Sequence, residues 1–152
     1  MDKEIKKLRC LHRCTHKVAY YETDAMRIVH HSNYLRWMEI ARCDFLEAIA
    51  LPFSSLEANG ISSPVLHAEL DYKRPARFED EVEIALYGLQ YDGLRYAFYY
   101  EISRDGDILV EAKTRHCFVD LDRGRPMSLK RSAEDMHEKL QIAFGGDRYD
   151  SR

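Results

Sequence analysis

Apolar positions keep two different spacings along the chain. Tyr34, Trp37, Met38, Ala41, Phe45 and Ile49 recur at helical intervals, so this stretch is expected to be a helix. Ser32 or Asn33 can cap it. Leu35, Ile40 and Leu46 widen the stripe until most of the circumference is apolar, the pattern of a buried helix. Pro52 and Asn59-Gly60 end the region after a short turn around Phe53 to Ala58. Elsewhere the spacing is that of strands. Residues 16–22, 63–72, 80–91, 94–104 and 107–120 each read as a strand, with Val82, Ile84 and Leu86 alternating against Glu81 and Glu83. Asp92-Gly93 and Asp105-Gly106 are hairpin signals, so the strands that they join are antiparallel. Arg123 to Pro126 makes another turn, and residues 133–144 suit a terminal helix. One strand, one long helix and four antiparallel strands predict an α+β domain whose sheet curls around the helix.

A chain of 152 residues fits one domain with a core of its own. No repeat or linker divides it, and three parts are expected: an extension over 1–15, the domain over 16–132, and a C-terminal helix and tail over 133–152. The net charge of −3 offers no general attraction to nucleic acid or to an anionic membrane, so neither is an expected partner. No apolar run is long enough to span a bilayer, and the charged opening residues make no secretory signal; a cytoplasmic location is expected. Cys10, Cys14, Cys43 and Cys117 are sparse, which suits reduced thiols. Cys10, His12, Cys14 and His16 would share one face of a strand. One extended segment cannot readily wrap four ligands around a tetrahedral ion, so no metal site is expected.

The segment from Tyr20 to Arg42 reads YYETDAMRIVHHSNYLRWMEIAR. It resembles the signature of the 4-hydroxybenzoyl-CoA thioesterase superfamily: an aromatic strand, a T-D pair, an apolar pair, H-x-x-Y, then W/F-x-E-x-A-R. Thr23, Asp24, Ile28, Val29, His31, Tyr34, Trp37, Glu39, Ala41 and Arg42 stand in those places. The likeness continues through Pro64, Asp71 to Pro75, His116 to Asp120 and Gly124 to Pro126. The resemblance implies the hotdog fold, with an antiparallel five-stranded sheet around one long helix. It also implies a homodimer, often paired again into a tetramer, with the active site between subunits. Acyl-CoA is the implied substrate and hydrolysis of its thioester the implied activity, without metal or redox cofactor.

The residues make chemical sense of that activity. A thioester carbonyl is attacked by water, or by a carboxylate to give a transient anhydride. The resemblance puts the catalytic carboxylate at Asp24, and carboxylates are ionised at neutral pH. The carbonyl oxygen needs hydrogen-bond donors as it becomes anionic, and a helix N-terminus offers unpaired amides. The matching donor is the backbone N–H of His31, not its imidazole. Arg27, His30, Asn33 and Tyr34 are further candidates for contact with substrate, although helical spacing also suits Tyr34, Trp37 and Met38 to the core. Glu39 and Arg42 suit a structural pair, and Glu39 stays open as a second catalytic carboxylate. At Arg27 the family usually carries glycine, which permits a positive φ or close approach to a ligand.

The phosphates of CoA call for local cations. Lys73, Arg74 and Arg77 form one cluster, Lys130 and Arg131 another; solvated strand-end charges would look the same. Tyr91, Tyr96 and Tyr99 are expected to be exposed and to line subunit contacts. Two rivals share the fold: an acyl-thioester hydratase or dehydratase with His30 or His31 as acid/base, and an acyl-CoA binding protein without turnover.

Overall fold

The computed structural model describes residues 5–145. The first strand, β1, runs Cys10–Lys17 and not over 16–22; Tyr20–Glu22 is a single 3-10 turn with Tyr20 and Tyr21 exposed. Opposite β1, Cys14 and His16 pair with Ile84 and Val82, so these alternate side chains lie on the core side. Aromatic content suggested a strand where the two tyrosines in fact meet solvent.

Helix α1 spans Ser32–Ala48. Neither Ser32 nor Asn33 caps it: His31 is the N-cap residue and makes no side-chain cap bond. Tyr34, Trp37, Met38, Ala41, Phe45 and Leu46 are buried, whereas Leu35 and Ile40 are exposed, so one side of the broad apolar stripe faces outward. A short helix α2, Phe53–Ala58, follows.

The strand expected over 63–72 is β3 (Val65–Tyr72), and a two-residue strand β2 (Ile61–Ser62) precedes it, separated from it by Ser63 and Pro64. Proline has no N–H for the ladder, so a break there is natural. Next come β4 (Glu81–Tyr91), β5 (Arg95–Arg104) and β6 (Asp107–Cys117), joined by the two Asp-Gly turns. The strand expected over 107–120 changes sheets at Phe118, and β7 (Val119–Asp120) pairs with β2 and with β8 (Arg125–Pro126). The main sheet is antiparallel throughout, with order β1-β4-β5-β6-β3. Its inner face packs Val82, Ile84, Leu86, Tyr96, Phe98, Tyr100 and Ile102 on the buried stripe of α1. This is the hotdog arrangement.

Two helices follow β8: α3 (Leu129–Ser132) and α4 (Glu134–Phe144). A Cβ on Gly88 would stand 2.9 Å from the Phe144 ring, so glycine there lets α4 approach β4. The expected tail beyond Gly145 and residues 1–4 of the expected extension lie outside the described residues. Tyr96 and Tyr99 are buried and Tyr91 is half-buried, so these tyrosines do not form the expected exposed contact surface. Exposed large side chains lie instead at Tyr20, Tyr21, Met26, Tyr72 and Phe78. Among the described residues no helix is long and apolar enough to cross a membrane.

Candidate active site

The site is built on the connection between β1 and α1, and Glu22 anchors it. This carboxylate is buried and accepts from the Ala19 amide (2.8 Å), His16 Nε2 (2.7 Å) and Trp37 Nε1 (2.5 Å). Burial alone would raise its pKa, but the donors outweigh burial and hold it below the ordinary carboxylate range. The Glu22 carbonyl accepts from the His30 amide (2.9 Å) and from Asn33 Nδ2 (2.8 Å). The strand end and the start of the helix are thus tied to one residue.

From that anchor the chain makes a tight turn. Thr23 bridges Val29, and between them the Asp24 amide donates to the Ile28 carbonyl (3.0 Å) while the Arg27 amide donates to the Asp24 carbonyl (2.9 Å). Arg27 closes the turn at φ +63°, the left-handed conformation that glycine adopts more freely. The turn therefore keeps a glycine-like backbone although the residue is arginine. Asp24 Oδ1 accepts from the Met26 amide (2.8 Å). Among the described residues no cation pairs with the Asp24 carboxylate.

Asp24 lines a cleft of about 270 Å³ together with Met26, Ile28, His31, Tyr72 and Pro75. His31 is the N-cap residue of α1, and its amide donates to no acceptor among the described residues. Its carbonyl accepts from the Tyr72 hydroxyl (3.1 Å), which fixes the helix start against the end of β3. One cleft is thus lined both by Asp24 and by the N-cap residue at the positive end of a helix.

The expected site residues divide between this cleft and its surroundings. Asp24, His31, Tyr34, Lys73 and Arg74 line it; Arg27, His30, Asn33 and Arg77 do not. Tyr34 is buried, its hydroxyl accepts from the Ala76 amide (3.1 Å), and burial raises its pKa and keeps it protonated. Asn33 is buried and committed to Glu22. His30 is exposed, with Nδ1 2.8 Å from Ser32 Oγ. Arg77 is exposed, and its amide donates to Asp80 Oδ2 (2.8 Å). Lys73 pairs with Glu111 (3.4 Å) and Arg74 with Asp107 (3.3 Å). Lys130 and Arg131 lie on α3, away from this cleft.

Glu39 is exposed and stands 3.9 Å from Arg42, lining a separate hollow. Arg42 itself is buried. Its Nη1 donates to His116 Nδ1 (2.8 Å), to the Tyr96 hydroxyl (3.0 Å) and to the Ser63 carbonyl (3.3 Å). His116 Nδ1 accepts that bond, so Nε2 carries the proton that is donated to Thr114 Oγ1 (2.7 Å). Burial first, and the Arg42 charge second, push the His116 pKa down to about 3 and hold the ring neutral. Sequence reasoning missed Glu22, Tyr72 and this network. One signal was present: Arg42 lies within the apolar stripe between Met38 and Phe45.

Comparison with known proteins gives this geometry a context. The model of the thioesterase-like superfamily matches residues 18–140. A Bacillus subtilis protein named "Putative acyl-CoA thioesterase YneP" is 30% identical over 128 residues, which is 84% of this chain and 93% of that protein. The acyl-CoA thioester hydrolase YbgC of Escherichia coli is 28% identical over 117 residues, 76% of this chain and 87% of that one. Among solved structures, a DHNA-CoA thioesterase of Staphylococcus aureus superposes with a TM-score of 0.81 at 28% identity, covering 86% of this chain and 88% of that one.

Proposed function

The chain belongs to the thioesterase-like superfamily, and from that membership we propose that it is an acyl-CoA thioesterase with Asp24 as its catalytic carboxylate. The observation that carries the reading is the shared cleft: Asp24 and His31 line one space, and among the described residues the His31 amide donates to no acceptor. The thioester carbonyl sits between them. Water adds to the carbonyl carbon as Asp24 takes its proton, or Asp24 adds directly and water later opens the mixed anhydride. On either route the His31 amide donates to the carbonyl oxygen as it gains negative charge. Collapse breaks the carbon–sulfur bond, and the CoA sulfur leaves with a proton. The products are a free acid and CoA. Water, a carboxylate and an amide complete this balance, so the reading calls on no metal or redox cofactor.

We read the working unit as a homodimer, which can pair again into a tetramer. The free edge of β3 supports this: Val65, Leu66 and Tyr72 are exposed there, and an unpaired strand edge invites a partner strand. The cleft is also open and small beside the ~300–1,000 Å³ usual for ligand pockets, as expected of a site that a second copy completes.

The test is thiol release from a panel of acyl-CoAs that includes an enoyl-CoA. Free thiol appearing in step with free acid supports hydrolysis. Hydration of the enoyl-CoA without thiol release would make the chain a hydratase. Tight binding with neither reaction would make it a binding protein.

A further inference from the structure

A line of hydrogen bonds that starts at the buried Arg42 ends on a hydrogen with no acceptor. Arginine can only donate, and Arg42 feeds two branches. On one, the Tyr96 hydroxyl accepts from Arg42 and donates to Ser63 Oγ, whose own hydrogen goes to the Cys117 carbonyl (3.0 Å). That branch closes on the backbone. On the other, His116 Nε2 donates to Thr114 Oγ1, and Thr114 donates in turn to the Tyr100 hydroxyl (3.4 Å). Two hydroxyls share one bond here, so one hydrogen is left over, and the direction of the line leaves it on Tyr100. Among the described residues nothing accepts it. Tyr100 is 1% exposed, and burial raises its pKa, so the phenol stays protonated. A buried donor without an acceptor is an exception that calls for a partner.

Tyr100, Thr114 and His116 line the hollow of about 310 Å³ that Glu39 also lines. Leu35 and Met38 of α1 and Val65 and Ala68 of β3 form its apolar walls. The hollow and the Asp24 cleft lie along one seam between helix and edge strand. His31 and Tyr34 of α1 and Tyr72 of β3 line the cleft, while Leu35, Met38 and Glu39 of α1 and Ala68 of β3 line the hollow. Ala68 pairs with Thr114, which faces Phe98, and Tyr72 pairs with Val110, so both β3 side chains share the core face that α1 covers. A second copy joined at the β3 edge leaves both hollows on that side. At ~1.5 Å per residue, the helix from His31 to Glu39 sets them roughly 12 Å apart.

We propose that the acyl group runs from Asp24 along this seam into the hollow, and that Tyr100 selects an acyl group with an oxygen acceptor near its far end. The proposal rests on the acyl-CoA thioesterase reading. A span of roughly 12 Å suits an acyl chain of medium length. Such a chain excludes solvent from the Tyr100 hydrogen as it fills the hollow. A wholly apolar chain leaves that hydrogen unpaired, whereas a hydroxyl or carbonyl oxygen accepts it. A site built around such a bond discriminates against the analogue that lacks it. Tyr100 takes no part in breaking the thioester; its role is specificity.

The experiment compares ω-hydroxydecanoyl-CoA with undecanoyl-CoA, which puts a methyl group where the hydroxyl stands. In wild type the ratio of kcat/KM for the hydroxylated substrate to that for the apolar one is expected to be about tenfold, and in Tyr100→Phe to fall to about one. Damage to the fold would lower both rates together and leave the ratio in place, so the ratio separates selection from stability. A wild-type ratio near or below one, or a ratio unchanged in Tyr100→Phe, overturns the proposal and leaves the thioesterase reading standing. Hydrolysis of acetyl-CoA with neither long substrate turned over does the same. If no acyl-CoA is hydrolysed, that reading fails instead, and calorimetric titration with the same two compounds still tests the hollow. Tighter binding of ω-hydroxydecanoyl-CoA that is lost in Tyr100→Phe supports the proposal, and equal binding overturns it.

Discussion

The indole N–H of Trp37 donates to the Glu22 carboxylate at 2.5 Å, tying the second turn of the central helix to the residue two places before Asp24. Three donors meet on that one buried side chain. Replacing it with glutamine removes the charge that they serve, and is expected to cost roughly 2 kcal/mol, the scale of a hydrogen bond to a buried charge. The pH dependence has a definite sign. The folded pKa of Glu22 lies below its ordinary 4.5, so its contribution is full above that value and is lost as pH falls through the folded value. Urea denaturation of wild type and Glu22→Gln should therefore show a gap at pH 7 that narrows below about pH 4. A gap independent of pH would contradict the charge-based account.

His116 gives a second pH signature, at higher pH. The neutral ring is held by Arg42, and its folded pKa of about 3 lies far below the ordinary 6.5. Above pH 6.5 the ring is neutral in both folded and unfolded chains and adds no pH dependence. As pH falls from 6.5 towards 3, only the unfolded chain takes the proton, so stability drops. His116→Gln can still accept from Arg42 and donate to Thr114, but it cannot titrate. Relative to this variant, wild type is expected to lose about 2 kcal/mol between pH 7 and pH 5, read by denaturant titration at both pH values. Parallel losses in the two proteins would show that the ring is not held neutral.

Arg27 holds φ +63° in the turn that presents Asp24. That conformation costs a non-glycine residue roughly 1–2 kcal/mol, and glycine gives back about 0.5–1 kcal/mol through its freedom in the unfolded chain. Arg27→Gly is accordingly expected to raise stability by about 0.5–1 kcal/mol, and Arg27→Val to lower it, in equilibrium denaturation. Equal stability of all three proteins would mean that the turn carries no strain.

Much of this architecture was legible in the chain, for identifiable reasons. Helical spacing located α1, and the Asp-Gly pairs located the hairpins, because those signals are local. The first strand was misplaced because the core-facing residues of β1 include Cys14 and His16, which an apolar count overlooks. The exposure of Leu35 and Ile40 and the burial of Tyr96 and Tyr99 depend on what packs against them, which no local window contains. In the site, the motif carried Asp24 and His31 because they lie seven residues apart in one segment. Tyr72 reaches the His31 carbonyl from 41 residues away; its strand was legible, but nothing local showed that the strand would end against the helix start. The Arg42–His116 contact spans 74 residues and was equally hidden.

The most direct test of the central claim is the rate of thiol release by Asp24→Asn beside wild type, on an acyl-CoA that wild type hydrolyses. Asparagine keeps the size of the side chain and can keep the bond from the Met26 amide, but it can neither take a proton nor attack as a carboxylate. A loss of at least ~100-fold in kcat, with the stability of the fold retained, is the expected result for removal of a catalytic carboxylate. Full activity in Asp24→Asn would contradict the account and move the chemistry to another residue.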